Sequence, residues 1–324
     1  MYKIITKIIV GRLRIHLEKL ISPLQIAFVL GRKGVDNAII VQELIHSISK
    51  SKGKEGFMAI KIDLEKAYDK LEWGFIRERL ISINLPMDMV ELIMSCFSTV
   101  STSVLFNGGM TEPIQSSRGI RQGDPLSPYI FILCIDFLGQ LIEEKVSKKL
   151  WNPIKASRNG PSFSDLFFAD DLVLFAKANQ ANYMTIREVM DSFCSKSGQL
   201  VSESKSRVYF SPNIDMDSRE DMCNTLGSRS TPSIRKYLGI PIKHPGPSNQ
   251  DFNFVLDRVK QKLADWKANL LSMAGRMTLI QASLSTIPTY TMQCAYLPSK
   301  VLKNIDRINR NFLWGSTETT RKMH

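Results

Sequence analysis

Between residues 57 and 64 apolar and polar positions alternate: Met58, Ile60, Ile62 and Leu64 share one side of an extended backbone, Lys61 and Asp63 the other. The pattern predicts a strand with its apolar face against helices and Asp63 on the open side. A hairpin is the second signal. Phe167-Phe168 and Val173-Leu174-Phe175 are short apolar runs on either side of Ala169-Asp170-Asp171, a turn with neither Gly nor Asn to ease it. Helical periodicity predicts Trp73 to Ile83, Met87 to Ser98 and Ala181 to Ser195, with Ser103 to Ile114 a hairpin about Asn107-Gly108. Tyr129 to Ile142 is apolar nearly all round, so that helix is expected beneath the sheet.

Residues 1 to 56 read as mainly helical, with breaks at Ser22-Pro23 and from Gly31 to Gly34, and Met1 to Leu20 can be drawn as a basic amphipathic helix. Beyond His244-Pro245-Gly246-Pro247, a linker, three helices are expected over Phe252 to Leu271, Met273 to Ser285 and Lys300 to Phe312. The fold class is therefore α+β, divided as 1–56, 57–245 and 246–324.

Composition narrows the function classes. With 44% hydrophobic content over 324 residues, the chain can bury a core and has no sign of disorder. No apolar run approaches the roughly 20 residues of a membrane span, and no secretory pattern opens the chain, so no membrane partner is expected. Cys96, Cys134, Cys194, Cys223 and Cys294 form no Cys-x-x-Cys pair, and His16, His46, His244 and His324 are dispersed. Neither a disulfide framework, a zinc site nor a histidine-based hydrolase is indicated, and a reducing intracellular compartment, nuclear or cytoplasmic, is expected. The net charge of +12 divides as +7 over residues 1–54, −1 over 55–245 and +6 over 246–324. Basic arms around a less basic centre suit a nucleic-acid partner.

That centre carries the candidate chemistry. Two carboxylates about 4 Å apart repel by roughly 4 kcal/mol at an effective dielectric near 20, so Asp170 and Asp171 must share a proton or hold a cation. Asp63 joins them if the hairpin lies beside the 57–64 strand. Three carboxylates on one surface can hold two hard cations about 3.5–4 Å apart, which clamp the attacking and leaving oxygens of phosphoryl transfer. Between the acidic segments lies Arg118-Gly119-Ile120-Arg121-Gln122-Gly123-Asp124-Pro125-Leu126-Ser127-Pro128. Its glycines permit close backbone approach, its arginines bring charge, and Ser127 is expected as N-cap of the next helix with Pro128 in the first turn.

With these segments in view, the chain resembles the reverse transcriptases of LINE-type non-LTR retrotransposons, in particular the plant branch. Asp63 with Glu65-Lys66-Ala67-Tyr68-Asp69 resembles the first palm motif, Arg118 to Pro128 the second, and Phe168-Ala169-Asp170-Asp171 the third. Ser197-Gly198-Gln199-Leu200 leading to Lys205 is similar to the fourth, and Tyr237-Leu238-Gly239-Ile240-Pro241 to the fifth. Tyr2 to Leu13 and Gln25 to Arg32 look like parts of the fingers. Trp266, Leu271 to Arg276 and Asn311 to Gly315 look like the segment after the palm.

The resemblance implies a right hand: partial helical fingers, an antiparallel-sheet palm flanked by helices, and a helical thumb. It implies two magnesium ions, with manganese as a possible substitute, on Asp63, Asp170 and Asp171, and Lys205 as general acid for the leaving pyrophosphate. Tyr68 would exclude ribose, and Arg121, Gln122 and Gly123 would lie near the nucleotide and template. Tyr237, Leu238 and Gly239 would grip the primer. The expected activity is RNA-directed DNA polymerisation from deoxynucleoside triphosphates, a DNA primer and an RNA template. Complete members also carry an Arg-Pro-Ile-Ser segment before the counterpart of Tyr2, an endonuclease domain upstream and a cysteine-histidine knuckle downstream, so a chain truncated at both ends is expected. A catalytically incomplete remnant that binds nucleic acid without turnover is the alternative.

Overall fold

In the computed structural model, residues 2–157, 159–242, 248–264 and 271–315 are described. The chain forms two compact units, Met1–Ile234 and Arg235–His324.

The first unit is built on a five-stranded sheet. Its strands are β1 (Phe57–Ile62), β2 (Asp165–Phe168), β3 (Asp171–Lys177), β4 (Arg207–Phe210) and β5 (Arg229–Ser230), in the order β5-β4-β1-β3-β2. All neighbours are antiparallel except β4 and β5, which run parallel. The period-2 pattern decides the faces: Met58, Ile60, Ile62 and Leu64 join Leu172, Leu174, Val208 and Phe210 in the core. Lys61 and Asp63 therefore fall on the other side, as expected.

Helices line the sheet. They are α1 (Tyr2–Arg14), α2 (Gly34–Lys50), α3 (Trp73–Ser82), α4 (Met87–Ser98), α5 (Ser127–Ser147), α6 (Gln180–Ser197) and α7 (Met216–Leu226). All contribute to the Met58-Ile60-Ile62 core except α2, none of whose residues belongs to it and which packs on β1 and β2. Nearly every residue of α5 from Ile130 to Leu138 is buried, as its apolar run predicts. Helix α6 starts at Asn179, whose side chain accepts the Asn182 amide, and stops at Gly198 in the left-handed region at φ 74°. A Cβ at Gly198 would come within 2.7 Å of the Lys70 carbonyl oxygen, so geometry and space both demand glycine. Trp151 is fully buried and its Nε1 donates to the Phe175 carbonyl at 2.9 Å, pinning β3.

Two local expectations need correction, and one helix is added. Ser127 is inside α5, and the residue before it, Leu126, is the N-cap; the turn is held by Asp124 Oδ1, which accepts the Leu126 amide at 2.7 Å. The drawn helix from Met1 to Leu20 divides into α1 and the turn Leu17–Leu20, and Met1 lies outside the described residues. Helix α7 was not anticipated, because its sequence is polar and only Asp215 as N-cap marks its start. The Asn107-Gly108 hairpin is present, with φ 48° and 81° at the two turn residues and Leu105–Phe106 paired to Gly109–Met110.

In the second unit Lys236–Tyr237 pairs with Ile240–Pro241. Helices α8 (Asn253–Ala264), α9 (Met273–Ala282) and α10 (Ser299–Trp314) follow, with a short helix Thr289–Cys294 before the last. Phe252, Val255, Leu297, Val301 and Ile305 form its core. The His244–Pro247 linker, Trp266 and the expected end of the Phe252 to Leu271 helix at 265–270 lie outside the described residues. All five cysteines are free, and among the described residues no helix is long and apolar enough to cross a membrane.

Candidate active site

Register brings the acids together. Ile62 of β1 lies opposite Leu172 of β3, so one further step sets Asp63 opposite Asp171. Phe168 pairs with Asp171, which leaves Ala169 and Asp170 as the hairpin turn. The missing glycine is resolved by Ala169 itself, which takes φ 52° at a cost of about 1–2 kcal/mol. Gln25 helps to hold it there: its Oε1 accepts the Ala169 amide at 3.2 Å.

The three carboxylates share one field. Burial disfavours the Asp170 anion and raises its pKa, and the charges of Asp171 and Asp63 act in the same direction. Two lysines answer the outer acids. Lys61 Nζ stands 3.4 Å from Asp171 Oδ1, and the exposed Lys205 Nζ stands 3.7 Å from Asp63 Oδ1. With the side chains in these positions, no three His, Cys, Asp or Glu among the described residues are close enough to hold a metal ion. The donor chemistry nonetheless fits a hard divalent cation, which would relieve the repulsion that raises Asp170 once Asp63 and Asp171 turn from their lysines.

Neighbouring segments are tied to this cluster through the backbone. Asp63 donates its amide to Ser206 Oγ at 3.1 Å and accepts the Ser202 amide at 2.8 Å, which straps the Lys205 loop along the end of β1. Gln199 is buried and its Nε2 donates to the Ala67 carbonyl at 2.7 Å. Tyr68 follows Ala67; its ring stacks on Phe131 with centroids 4.7 Å apart. Burial, and then the nearby Asp170 charge, push its hydroxyl up to about 12.

The Arg118 to Pro128 loop joins next. Ile120 donates its amide to the Tyr68 carbonyl at 2.8 Å, and Gly119 does the same to Leu71 at 2.7 Å. At Gly119, φ is 86° and a Cβ would meet the Asp69 carbonyl oxygen at 2.7 Å, so only glycine allows this approach. Gln122 Nε2 reaches Asp69 Oδ1 at 3.4 Å, and the Arg121 guanidinium lies over the Tyr2 ring at 5.9 Å. Gly123 is exposed at φ 82° with open space around it. On its far side the loop lines a cavity of about 720 Å³ with Trp73, Ser101 and Thr102; Asp63, Asp170 and Asp171 do not line it.

Asp63, Asp170, Asp171, Lys205 and Tyr68 are thus one cluster, with Gln122 linked to it through Asp69. Tyr237, Leu238 and Gly239 belong to the second unit. The Tyr237 ring is fully buried there, and Leu238 and Gly239, at φ 48° and 77°, form the turn of its small hairpin. Sequence reasoning placed Gln25 and Gln199 in family-like segments without assigning either a role and did not name Ser206; the side chains of all three hydrogen-bond to the backbone.

Residues 1–242 match the family described as reverse transcriptase (RNA-dependent DNA polymerase). The chain belongs to the reverse transcriptase family. It is 26% identical over 316 residues to the transposon TX1 uncharacterized 149 kDa protein of Xenopus laevis, covering 97% of this chain and 23% of that protein. It is 29% identical over 213 residues to the Pol polyprotein of the R2DM retrotransposable element of Drosophila melanogaster, covering 63% of this chain and 19% of that protein. These relatives are of the non-LTR retrotransposon type, and the chain spans less than a quarter of each. Among solved structures, telomerase of Candida tropicalis superposes with a TM-score of 0.50 at 14% identity, covering 94% of this chain and 46% of that one. That likeness shows the right-hand α+β fold. The reverse transcriptase family generally uses divalent metal ions.

Proposed function

We propose that this chain is the catalytic core of an RNA-directed DNA polymerase of a non-LTR retrotransposon, extending a DNA primer on an RNA template. What carries the reading is the shared field of Asp63, Asp170 and Asp171 at facing strand ends. Two magnesium ions, or manganese in their place, would be held by these carboxylates and would activate the primer hydroxyl and stabilise the departing pyrophosphate. The protein's own groups do the rest. Lys205, exposed beside Asp63, can donate a proton to the pyrophosphate. Tyr68, fixed on Phe131, presents a rigid edge that excludes a 2′-hydroxyl. Arg121, Gln122 and Gly123 leave an exposed polar loop for the nucleotide and template. With the Tyr237 ring buried, any grip on the primer falls to the Leu238-Gly239 turn. An intracellular setting, nuclear or cytoplasmic, follows from the substrates.

Primer extension on an RNA template with magnesium or manganese tests the reading. Product from the natural chain that falls by at least about 100-fold in Asp170→Asn supports it. Binding of primer-template without extension by the natural chain favours the remnant instead.

A further inference from the structure

Gln25 lies 144 residues from Ala169 in the chain and is fully buried. Its Oε1 accepts two backbone amides, Ala27 at 2.9 Å and Ala169 at 3.2 Å. Both neighbours are donors, so the orientation of the amide is settled by the network. Its Nε2 is buried with no hydrogen-bond partner among the described residues. An apolar residue would avoid that loss but would strip two buried amides of their acceptor.

The surrounding segment is braced on both sides. Phe167 donates its amide to Leu24 and accepts that of Ile26, a parallel bridge that extends the sheet beyond β2. Arg32 donates to the carbonyls of Ser22 and Gln25, and Asp136 Oδ1 accepts the Ser22 amide at 2.8 Å. Ala169 is 6% exposed and held in a conformation that alanine avoids, one residue before Asp170 at the exposed tip of the turn.

We propose that Gln25 is a positioning residue: its carbonyl locks the left-handed Ala169 turn, and through that turn aims the Asp170 carboxylate at Asp63 and Asp171. The inference rests on the polymerase reading, so its test combines a measurement independent of turnover with one that depends on it.

Gln25→Met keeps the length of the side chain and removes the strong acceptor. In the full chain the global melt should fall with the loss of two buried hydrogen bonds, and hydrogen exchange of the peptide spanning residues 166–171 should accelerate by about tenfold more than that of the β4 peptide, which reports the general loss of stability. Terbium luminescence should report weaker cation binding, and kcat for primer extension should fall by about 100-fold with little change in nucleotide KM. Gln25→Glu, which retains an acceptor, should keep the 166–171 peptide protected. Adding Ala169→Gly to Gln25→Met should restore part of the rate, because glycine takes this φ without strain. If Gln25→Met does not fold, Gln25→Asn, whose carbonyl is drawn back by one methylene, is read in the same way. Exchange of 166–171 that accelerates no more than that of the β4 peptide in a folded Gln25→Met chain overturns the inference, whatever its rate. Faster exchange in a chain whose natural form never extends a primer leaves the positioning role standing and removes the polymerase reading.

Discussion

Lys61 Nζ lies 3.4 Å from Asp171 Oδ1, diagonally across the step between β1 and β3. Lys61 shares the open face of β1 with Asp63, whose own cationic neighbour is Lys205. Two acids of the cluster therefore have built-in counter-ions that an incoming divalent ion must displace. A partly exposed ion pair is worth about 0.2–1 kcal/mol. Lys61→Met should accordingly tighten divalent binding by up to about fivefold, measured by calorimetric titration of manganese at fixed ionic strength. Weaker binding would mean that Asp171 is no ligand and that Lys61 supports the site in another way.

Asp165, at the start of β2, is 3% exposed, and its carboxyl is raised to about 6. Burial is the main cause and the charges of Glu143 and Asp136 add to it, while the Ser164 hydroxyl at 2.7 Å opposes it. A carboxyl raised in the folded state contributes stability that is present below about pH 4 and lost as pH rises through about 6. The loss is on the order of 3 kcal/mol. Asp165→Asn should therefore melt like the natural chain near pH 4 and several degrees higher at pH 7.5. Asp170→Asn should move in the same direction in the absence of metal, since burial, Asp171 and Asp63 raise that carboxyl too. Equal melting of Asp165→Asn and the natural chain at both pH values would show that the Asp165 anion has a compensating partner.

Legibility in the sequence followed the range of the interaction. Asp63 was readable because strand period alone puts it with Lys61 on the face opposite Met58, Ile60 and Ile62. The β2-β3 hairpin was readable from its apolar flanks, and register then did the rest. Gln25 was not, because no local pattern announces a side chain that accepts an amide 144 residues away. The same holds for Gln199, which reaches the Ala67 carbonyl across 132 residues. Helix α7 was hidden for the opposite reason: among its described side chains only Met222 and Cys223 are buried, so its hydrophobic period is faint.

Tyr68 stacks on Phe131 with the rings 10° from parallel, so its packing and the proposed exclusion of ribose are followed by separate measurements on the same variants. Tyr68→Phe keeps the stack and should leave both stability and sugar selection nearly unchanged. Tyr68→Ala should admit ribonucleotides and also destabilise the palm, by roughly 3 kcal/mol if the stacked ring behaves as a core aromatic. The check is the ratio of kcat/KM for a deoxynucleotide and its ribonucleotide, alongside thermal melts. Destabilisation without any loss of discrimination would assign the ring to packing alone.

Helix α10 offers the clearest surface for a phosphate backbone. Lys300, Lys303, Arg307 and Arg310 are all exposed and recur every three or four residues, while Val301, Ile305 and Phe312 are buried. A rise of 1.5 Å per residue spreads these four cations over about 15 Å. Such a stripe can follow successive phosphates, whereas a solvated face needs no such regularity. The variant carrying Lys303→Gln and Arg307→Gln keeps the buried face and should melt within about 0.5 kcal/mol of the natural chain. Its affinity for a labelled RNA–DNA duplex should fall, and the log-log salt slope should become shallower by about 1.4–1.8 if two phosphate contacts are lost. Anisotropy titrations between 50 and 200 mM salt, about a fourfold span, are enough to resolve that difference. An unchanged slope would move the phosphate contacts elsewhere and leave the stripe as a solubility device.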